Sequence, residues 1–464
     1  MTQTQESNPA ATVSAPEPRN LALATLLSTA ATVAPLFASG VLSLVIAHLY
    51  GPRGTGVTSL VMNLFDVALA IFTVGLSSGI TYLVSRREWS LVQASREMRL
   101  AAAVLGGAGA ICGLCFYFIM RHTVFRGVTP AMALVSLVSL PFAIEWAFAA
   151  ATALGRDRYE AYTTFELANA AIILVGGVGL AIPFGILGAV TAFATAQVVT
   201  ALIGAVWLRR EAVRAGQSGG DGRTGQLRRA TTFGLQTWSA NLLQLLNYRL
   251  DIFILSSVAL RSTVGVYSIA VSVTALGWVL PNSFQTVLFP RVASLDAAAG
   301  TRRIDAGSSD AAAARAMRHS VLIVIPTCAV LVVLVLLVPL IYGSAFQRSV
   351  GLGFILIPGV AAAGVAKVAA AVSSGRGFPR YALYTTGITV PATVTLYLVL
   401  IPQLHATGAA VASTISYVMT TVLMIFYFER ATSIRLRSAL LPGRSDLTDY
   451  LDAFRSVRAR LSRA

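Results

Sequence analysis

Twelve stretches of this chain are apolar for roughly the depth of a lipid bilayer, and that succession constrains its folding more than any motif does. A helix needs about 20 mainly apolar residues to cross the hydrocarbon layer. Such runs fall at 21–47, 57–84, 100–120, 130–154, 162–182, 186–208, 231–260, 264–289, 321–342, 350–372, 382–401 and 406–428. Hydrophobic residues make up 56% of the 464 and charged residues only 12%, whereas a soluble domain carries about a quarter charged residues. No polar block is long enough to enclose a second core. The sequence therefore predicts an all-α integral membrane protein with twelve transmembrane helices.

The formal net charge of +16 would suggest nucleic acid in a soluble protein, but here the arginines read as topology signals. With the N-terminus inside, the inner segments carry 28 of the 35 basic residues and the outer loops five. That bias puts both termini on the cytoplasmic side of the cell membrane, and no nucleic-acid partner is expected. Residues 1–20 are expected to be a disordered cytoplasmic arm: "MTQTQESNPAATVSAPEP" has no basic run before an apolar core, so it is not a signal peptide. Cys112, Cys115 and Cys328 lie in apolar runs, so "CGLC" has redox spacing without the electropositive surroundings that make a thiolate.

One phrase occurs twice. "RYEAYTT" (158–164) and "RYALYTT" (380–386) each lead from an inner loop into a span. "IPFGILGAV" (182–190) is echoed by "IPQLHATGAAV" (401–411), and "GVTSL" (56–60) by "GVYSI" (265–269). The three pairs keep the same order, offset by about 210–220 residues. The expectation is a duplicated unit: a six-helix lobe over 21–208, a linker over 209–230, a second lobe over 231–428 and a basic tail over 429–464. An even number of crossings per lobe makes the repeats parallel, with a substrate cavity at the centre between them.

Ionisable side chains inside a bilayer are costly and usually face a cavity or a partner. The candidates for a translocation path are Asp66, Glu145, Arg249, Asp251 and Lys367, the last being the only lysine. At about 100° per residue, Thr237, Asn241, Gln244, Tyr248 and Asp251 form one polar stripe on the span 231–260. Arg249 lies about 160° from Asp251, so it needs another partner, such as an acid on a neighbouring helix. The same residues would serve equally as interhelical glue. Pro35, Pro141, Pro281, Pro358 and Pro391 fall inside spans, where each removes a backbone bond. In the tail, Leu447, Tyr450, Leu451, Phe454, Val457 and Leu461 recur at helical spacing among arginines, a pattern suited to anionic lipid at the inner leaflet.

Five segments in this order carry a family resemblance: "LYGPRGTGVTSLVMNLFDVALAIFTVGLSSGITYLVSR" (49–86), "NYRLDIFILSSVALRSTVGVYSIAVSV" (247–273), "VLFPRVASL" (287–295), "YGSAFQRS" (342–349) and "IPQLHATGAAVASTISY" (401–417). Over 21–428 the chain resembles the Wzx-type polysaccharide-biosynthesis flippases, of the superfamily that also holds the multidrug and toxic-compound exporters and the lipid II flippases. The resemblance implies a carrier for lipid-linked oligosaccharide working by alternating access, with no cofactor and a possible coupling ion, proton or sodium. It implies that Arg249 and Lys367 hold the diphosphate, and it matches an R-x-D pattern to Arg249 and Asp251. Polymerases or glycosyltransferases of the same pathway are possible partners. The lipid II flippases are less similar, since their basic cluster in the first two helices is missing. Three intramembrane acids against two bases keep an ion-coupled multidrug exporter open as the alternative. An enzyme is not expected: the four histidines are scattered, the outer loops are short, and no nucleophile elbow or phosphate-cradling loop is present.

Overall fold

The computed structural model describes residues 18–85, 89–215, 225–279, 281–282, 306–376, 378 and 380–432. The predicted arm up to residue 17 and the tail beyond 432 lie outside the described residues. Every described element is helical: α1 Pro18–Phe72, α2 Leu76–Ser85, α3 Leu91–Met120, α4 Pro130–Val138, α5 Leu140–Gly155, α6 Tyr159–Arg214, α7 Gln226–Val258, α8 Arg261–Ala275, α9 Ala306–Tyr342, α10 Arg348–Gly375 and α11 Arg380–Ala431, with short 3₁₀ turns at Leu276–Trp278 and Ser344–Phe346. Helices α6 and α7 run into the expected linker from both sides, leaving only 216–224 of it outside the described residues.

Among the described residues, seven helical stretches are long and apolar enough to cross a membrane. Three of them are double. In α6, the Gly185 backbone turns through φ 68°, ψ −155°, and the chain folds back on itself. A Cβ on Gly188 would stand 2.0 Å from the Leu180 carbonyl oxygen, and Asn169 donates to Thr200 across the hairpin at 3.3 Å. α11 does the same at His405: a Cβ on Gly408 would stand 2.1 Å from the Leu400 oxygen, and the Tyr397 and Ser413 hydroxyls meet at 3.0 Å. Gly188 and Gly408 occupy matching places in the repeated "IPFGILGAV" and "IPQLHATGAAV", so the sequence echo becomes the same tight reversal in both places. In α1 the break is Gly51, with φ 61°, ψ −165°. Its two limbs follow those of α6, Tyr50 donating to the Ala181 carbonyl and Phe65 meeting Phe193 edge-on.

Elsewhere the local chemistry is direct. Thr129 accepts from the Met132 N–H at 3.3 Å and Pro130 opens α4, a favourable cap followed by a pre-set φ. Ser139 and Pro141 separate α4 from α5, breaking the fourth run in two. On α3, Leu100, Val104, Ile111 and Ile119 form a stripe in which each side chain is more than 60% exposed. Water would not tolerate such a face, and lipid does. The protein is a multi-pass membrane protein.

The two halves of the chain touch along α1, α2, α7 and α8. Trp238 Nε1 donates to the Ala70 carbonyl at 2.8 Å, and Tyr82 stacks on Phe233 with ring centroids 4.3 Å apart. Near Gly51, Gly56 and Gly265 face each other: a Cβ on Gly56 would lie 2.1 Å from the Arg261 oxygen, and one on Gly265 would lie 1.9 Å from the Pro52 oxygen. These are the two glycines of the repeated "GVTSL" and "GVYSI", each packed against its own counterpart. Arg261, 8% exposed, ties this end further by donating to the carbonyls of Val124, Thr123 and Ser256. At this end of the seam the glycines let the two backbones meet.

Candidate functional site: a polar cavity and an ion pair between the halves

A cavity of about 330 Å³ lies among α7, α10 and α11, wholly within the C-terminal half. Gln244 and Tyr248 line it from α7, Lys367 from α10, and Thr385, Thr389 and Tyr417 from the two limbs of α11. Three of the residues expected on the path, Gln244, Tyr248 and Lys367, are thus brought together. The Tyr248 and Trp278 rings stack with centroids 4.8 Å apart, and Tyr417 stands edge-on to both at 5.6 Å. Lys367 Nζ sits 5.5 Å from the Trp278 ring centroid, close enough for a cation–π attraction. Among the described residues, no carboxylate lines the cavity.

Arg249 points elsewhere, to the seam. Its guanidinium donates from Nη1 to Asn63 Oδ1 at 2.8 Å and from Nη2 to Asp66 Oδ2 at 3.1 Å. The acid that Arg249 requires on a neighbouring helix is therefore Asp66, contributed by the other half of the chain. The pair is 36% and 40% exposed, so it borders open space rather than closed packing, while Asn63 is buried behind it.

Asp251 and Glu145 do not line the cavity. Asp251 is 2% exposed; Oδ2 accepts from the Tyr267 hydroxyl at 2.5 Å and Oδ1 from the Ile252 N–H at 2.7 Å. From Tyr267 a chain of hydroxyls passes through Ser413 to Tyr397, which donates to the Asn247 carbonyl at 3.2 Å. Asp251 thus joins α7 to α8 and α11, as glue does. Glu145 faces Arg99 at 3.9 Å within the N-terminal half. The side chains of Thr237 and Asn241 lie outside the described residues. Sequence reasoning missed Asn63, Trp278 and Tyr417. Asn63 stands one helical turn before Asp66 and was visible by that spacing; Tyr417 lines the cavity and Trp278 packs against Tyr248 and Lys367, each from a distant segment with no local signal.

This architecture is shared with solved transporters. Lipid II flippase MurJ in an inward closed conformation matches with a TM-score of 0.69 over 88% of this chain and 87% of that one, at 13% identity. A multidrug resistance MATE family transporter of the MOP superfamily, inward-facing, matches at 0.65 over 89% and 97%, with 17% identity. A MOP superfamily transporter from Pyrococcus furiosus, described as having a binding pocket of reverse polarity, matches at 0.60 over 89% and 94%, also with 17% identity. The chain thus has the fold of the MOP-superfamily transporters, and at such identities the likeness concerns the fold alone. No curated protein matches the sequence. The polysaccharide biosynthesis protein family matches residues 29–351, and the chain belongs to it.

Proposed function

We propose that this protein is a flippase that moves a polyprenyl-diphosphate-linked oligosaccharide from the cytoplasmic to the outer leaflet by alternating access. Counting α1, α6 and α11 twice, and adding α7 and the α8 segment, turns seven long apolar helices into twelve crossings. These would form two parallel six-helix lobes over 21–208 and 231–428, with both termini cytoplasmic and the chain in the cell membrane.

The observation that carries the proposal is a lysine-bearing polar cavity with no carboxylate among its described lining residues, near an arginine shared between the halves. A polyprenyl tail is content in lipid, but a sugar diphosphate cannot cross hydrocarbon without a polar shelter. Arg249 is the candidate for the diphosphate, since its planar fork can hold two phosphate oxygens at once. Asp66 keeps it neutralised until substrate arrives. A proton or sodium gradient would power the cycle. Anionic inner-leaflet lipid and the enzymes that make and polymerise the glycan are the partners this role implies.

The likeness to multidrug transporters favours a second reading, an ion-coupled drug exporter. A lysine without a carboxylate suits a cationic drug poorly. Expressing the chain in a strain deleted for it, and following glycan export beside drug susceptibility, tests the two together. Restored glycan at the surface with unchanged drug susceptibility is expected; drug resistance without glycan export would assign the chain to the exporters.

A further inference from the structure

We propose that the end of the α11 hairpin where its two limbs begin and finish holds the phosphate of an anionic phospholipid. Arg380 and Arg430 are the binding groups, and a set of aromatic rings supports them. The proposal takes the topology of the reading above but not its cargo; with both termini cytoplasmic, the lipid belongs to the inner leaflet.

The hairpins of α6 and α11 match over both limbs and differ at one acid. Arg158 and Arg380 open them, each at the start of the repeated phrase. In α6 that arginine is neutralised: Nε and Nη2 of Arg158 donate to Glu211 Oε1 at 3.2 and 3.1 Å, and Glu211 is 3% exposed. Glu211 stands 23 residues beyond Gly188, and the residue 23 beyond Gly408 is Ala431. In the same alignment Trp207 falls opposite Tyr427 and Arg210 opposite Arg430. The second hairpin therefore has the arginine without its acid. Glu429 does not replace it, since it lies about 160° around the helix from position 431. Among the described residues, neither Arg380 nor Arg430 forms an ion pair.

The surroundings of the two guanidiniums are aromatic and face lipid. Arg380 Cζ lies 6.0 Å from the Phe378 ring centroid and 5.9 Å from that of Tyr381, and Arg430 Cζ lies 4.3 Å from that of Phe426. Phe378 stacks on Tyr381 at 5.3 Å and Tyr381 on Tyr427 at 5.0 Å, so the rings tie the two limbs together while attracting the cations. Leu383, Tyr384, Val422 and Phe426, on the same turns, are between 42% and 61% exposed, a band that lipid covers. Ala382 and Thr385 line the cavity, so cavity and band lie on different faces of α11. Arginines at the end of such a band, among tyrosines, sit at the level of the head groups. A guanidinium fork can hold two phosphate oxygens at once, and the acyl chains of the same molecule would lie along the exposed band. A free phosphate would make the first contact and not the second.

The test is native mass spectrometry of the full chain in a neutral detergent, titrated with phosphatidylglycerol, phosphatidylcholine and inorganic phosphate. One phosphatidylglycerol is expected to bind ahead of any others, about tenfold more tightly than phosphatidylcholine. Arg380→Gln should erase that preference by removing the cation, and Ala431→Glu by returning an acid to it. Ala431→Gln, of the same size as the glutamate but neutral, should keep it. The proposal is overturned if phosphatidylcholine binds as well as phosphatidylglycerol, if Arg380→Gln or Ala431→Glu keeps the preference, or if Ala431→Gln loses it. Displacement of the lipid by millimolar inorganic phosphate would overturn it too, marking a site for the free ion. Because binding is measured without cargo, its failure leaves the flippase reading standing, and a failure to export glycan leaves the lipid site standing.

Discussion

At the scale of single residues, Arg249 joins the two halves through an ion pair, with Asn63 and Asp66 as its partners. Because both members of the ion pair are more than a third exposed, the pair adds on the order of 1 kcal/mol to the closed arrangement, a latch light enough for a substrate to open. Arg249→Gln is expected to abolish translocation while leaving membrane insertion intact. Asp66→Asn should slow translocation less, and the double variant should be no worse than Arg249→Gln alone, since both changes break one interaction. Flipping rates in reconstituted vesicles, normalised to inserted protein, check this; additive losses would mean that the two residues act separately. That Arg249 must seek an acid on another helix was legible from its angular position on α7, but which acid was not, because sequence order does not say which spans touch. Asp251 illustrates the opposite limit. It lies on the same face as Gln244, yet seven residues carry it about 10 Å along the axis, past the cavity and into the packing against Tyr267.

At the scale of elements, the repeated phrases fall on α6 and α11, and both hairpins close on glycines at matching places, Gly188 and Gly408. Gly51 and Gly185 could be suspected as turns because glycine accepts positive φ freely. His405 could not, since a φ of 51° at a non-glycine residue is imposed by the surrounding hairpin rather than by its own preference. The paired Gly56 and Gly265 yield a sharper expectation. A methyl group on Gly265 would sit 1.9 Å from the Pro52 oxygen, so Gly265→Ala must push α8 away from α1 at that end. Val57 is 4% exposed there. In a chain whose native cysteines are replaced by serine, Val57→Cys should react slowly with a membrane-impermeant thiol reagent, and adding Gly265→Ala should speed the reaction severalfold. Unchanged labelling would show that the contact gives way elsewhere.

At the scale of the whole molecule, the succession of apolar runs was enough to place the chain in a membrane, but no sequence writes down a conformational state. In this state the halves touch at the Trp238–Ala70 hydrogen bond and at the glycine contact, with the partly exposed Arg249–Asp66 pair bridging the seam between them. If the protein carries its cargo by alternating access, that seam must part in every cycle, whereas the contacts inside each half need not. Asp66→Cys with Arg249→Cys, joined by a short bifunctional thiol reagent, should therefore stop flipping, and cleavage of the linker should restore it. Thr393→Cys with Ser416→Cys lies within one hairpin, where the two hydroxyls are 2.5 Å apart, and the same treatment there should leave most of the activity. Full-rate flipping by the linked seam pair would mean that the halves move as one body and that cargo passes by another route. Equal inhibition by both pairs would place the moving boundary inside the C-terminal half itself, beside its own cavity.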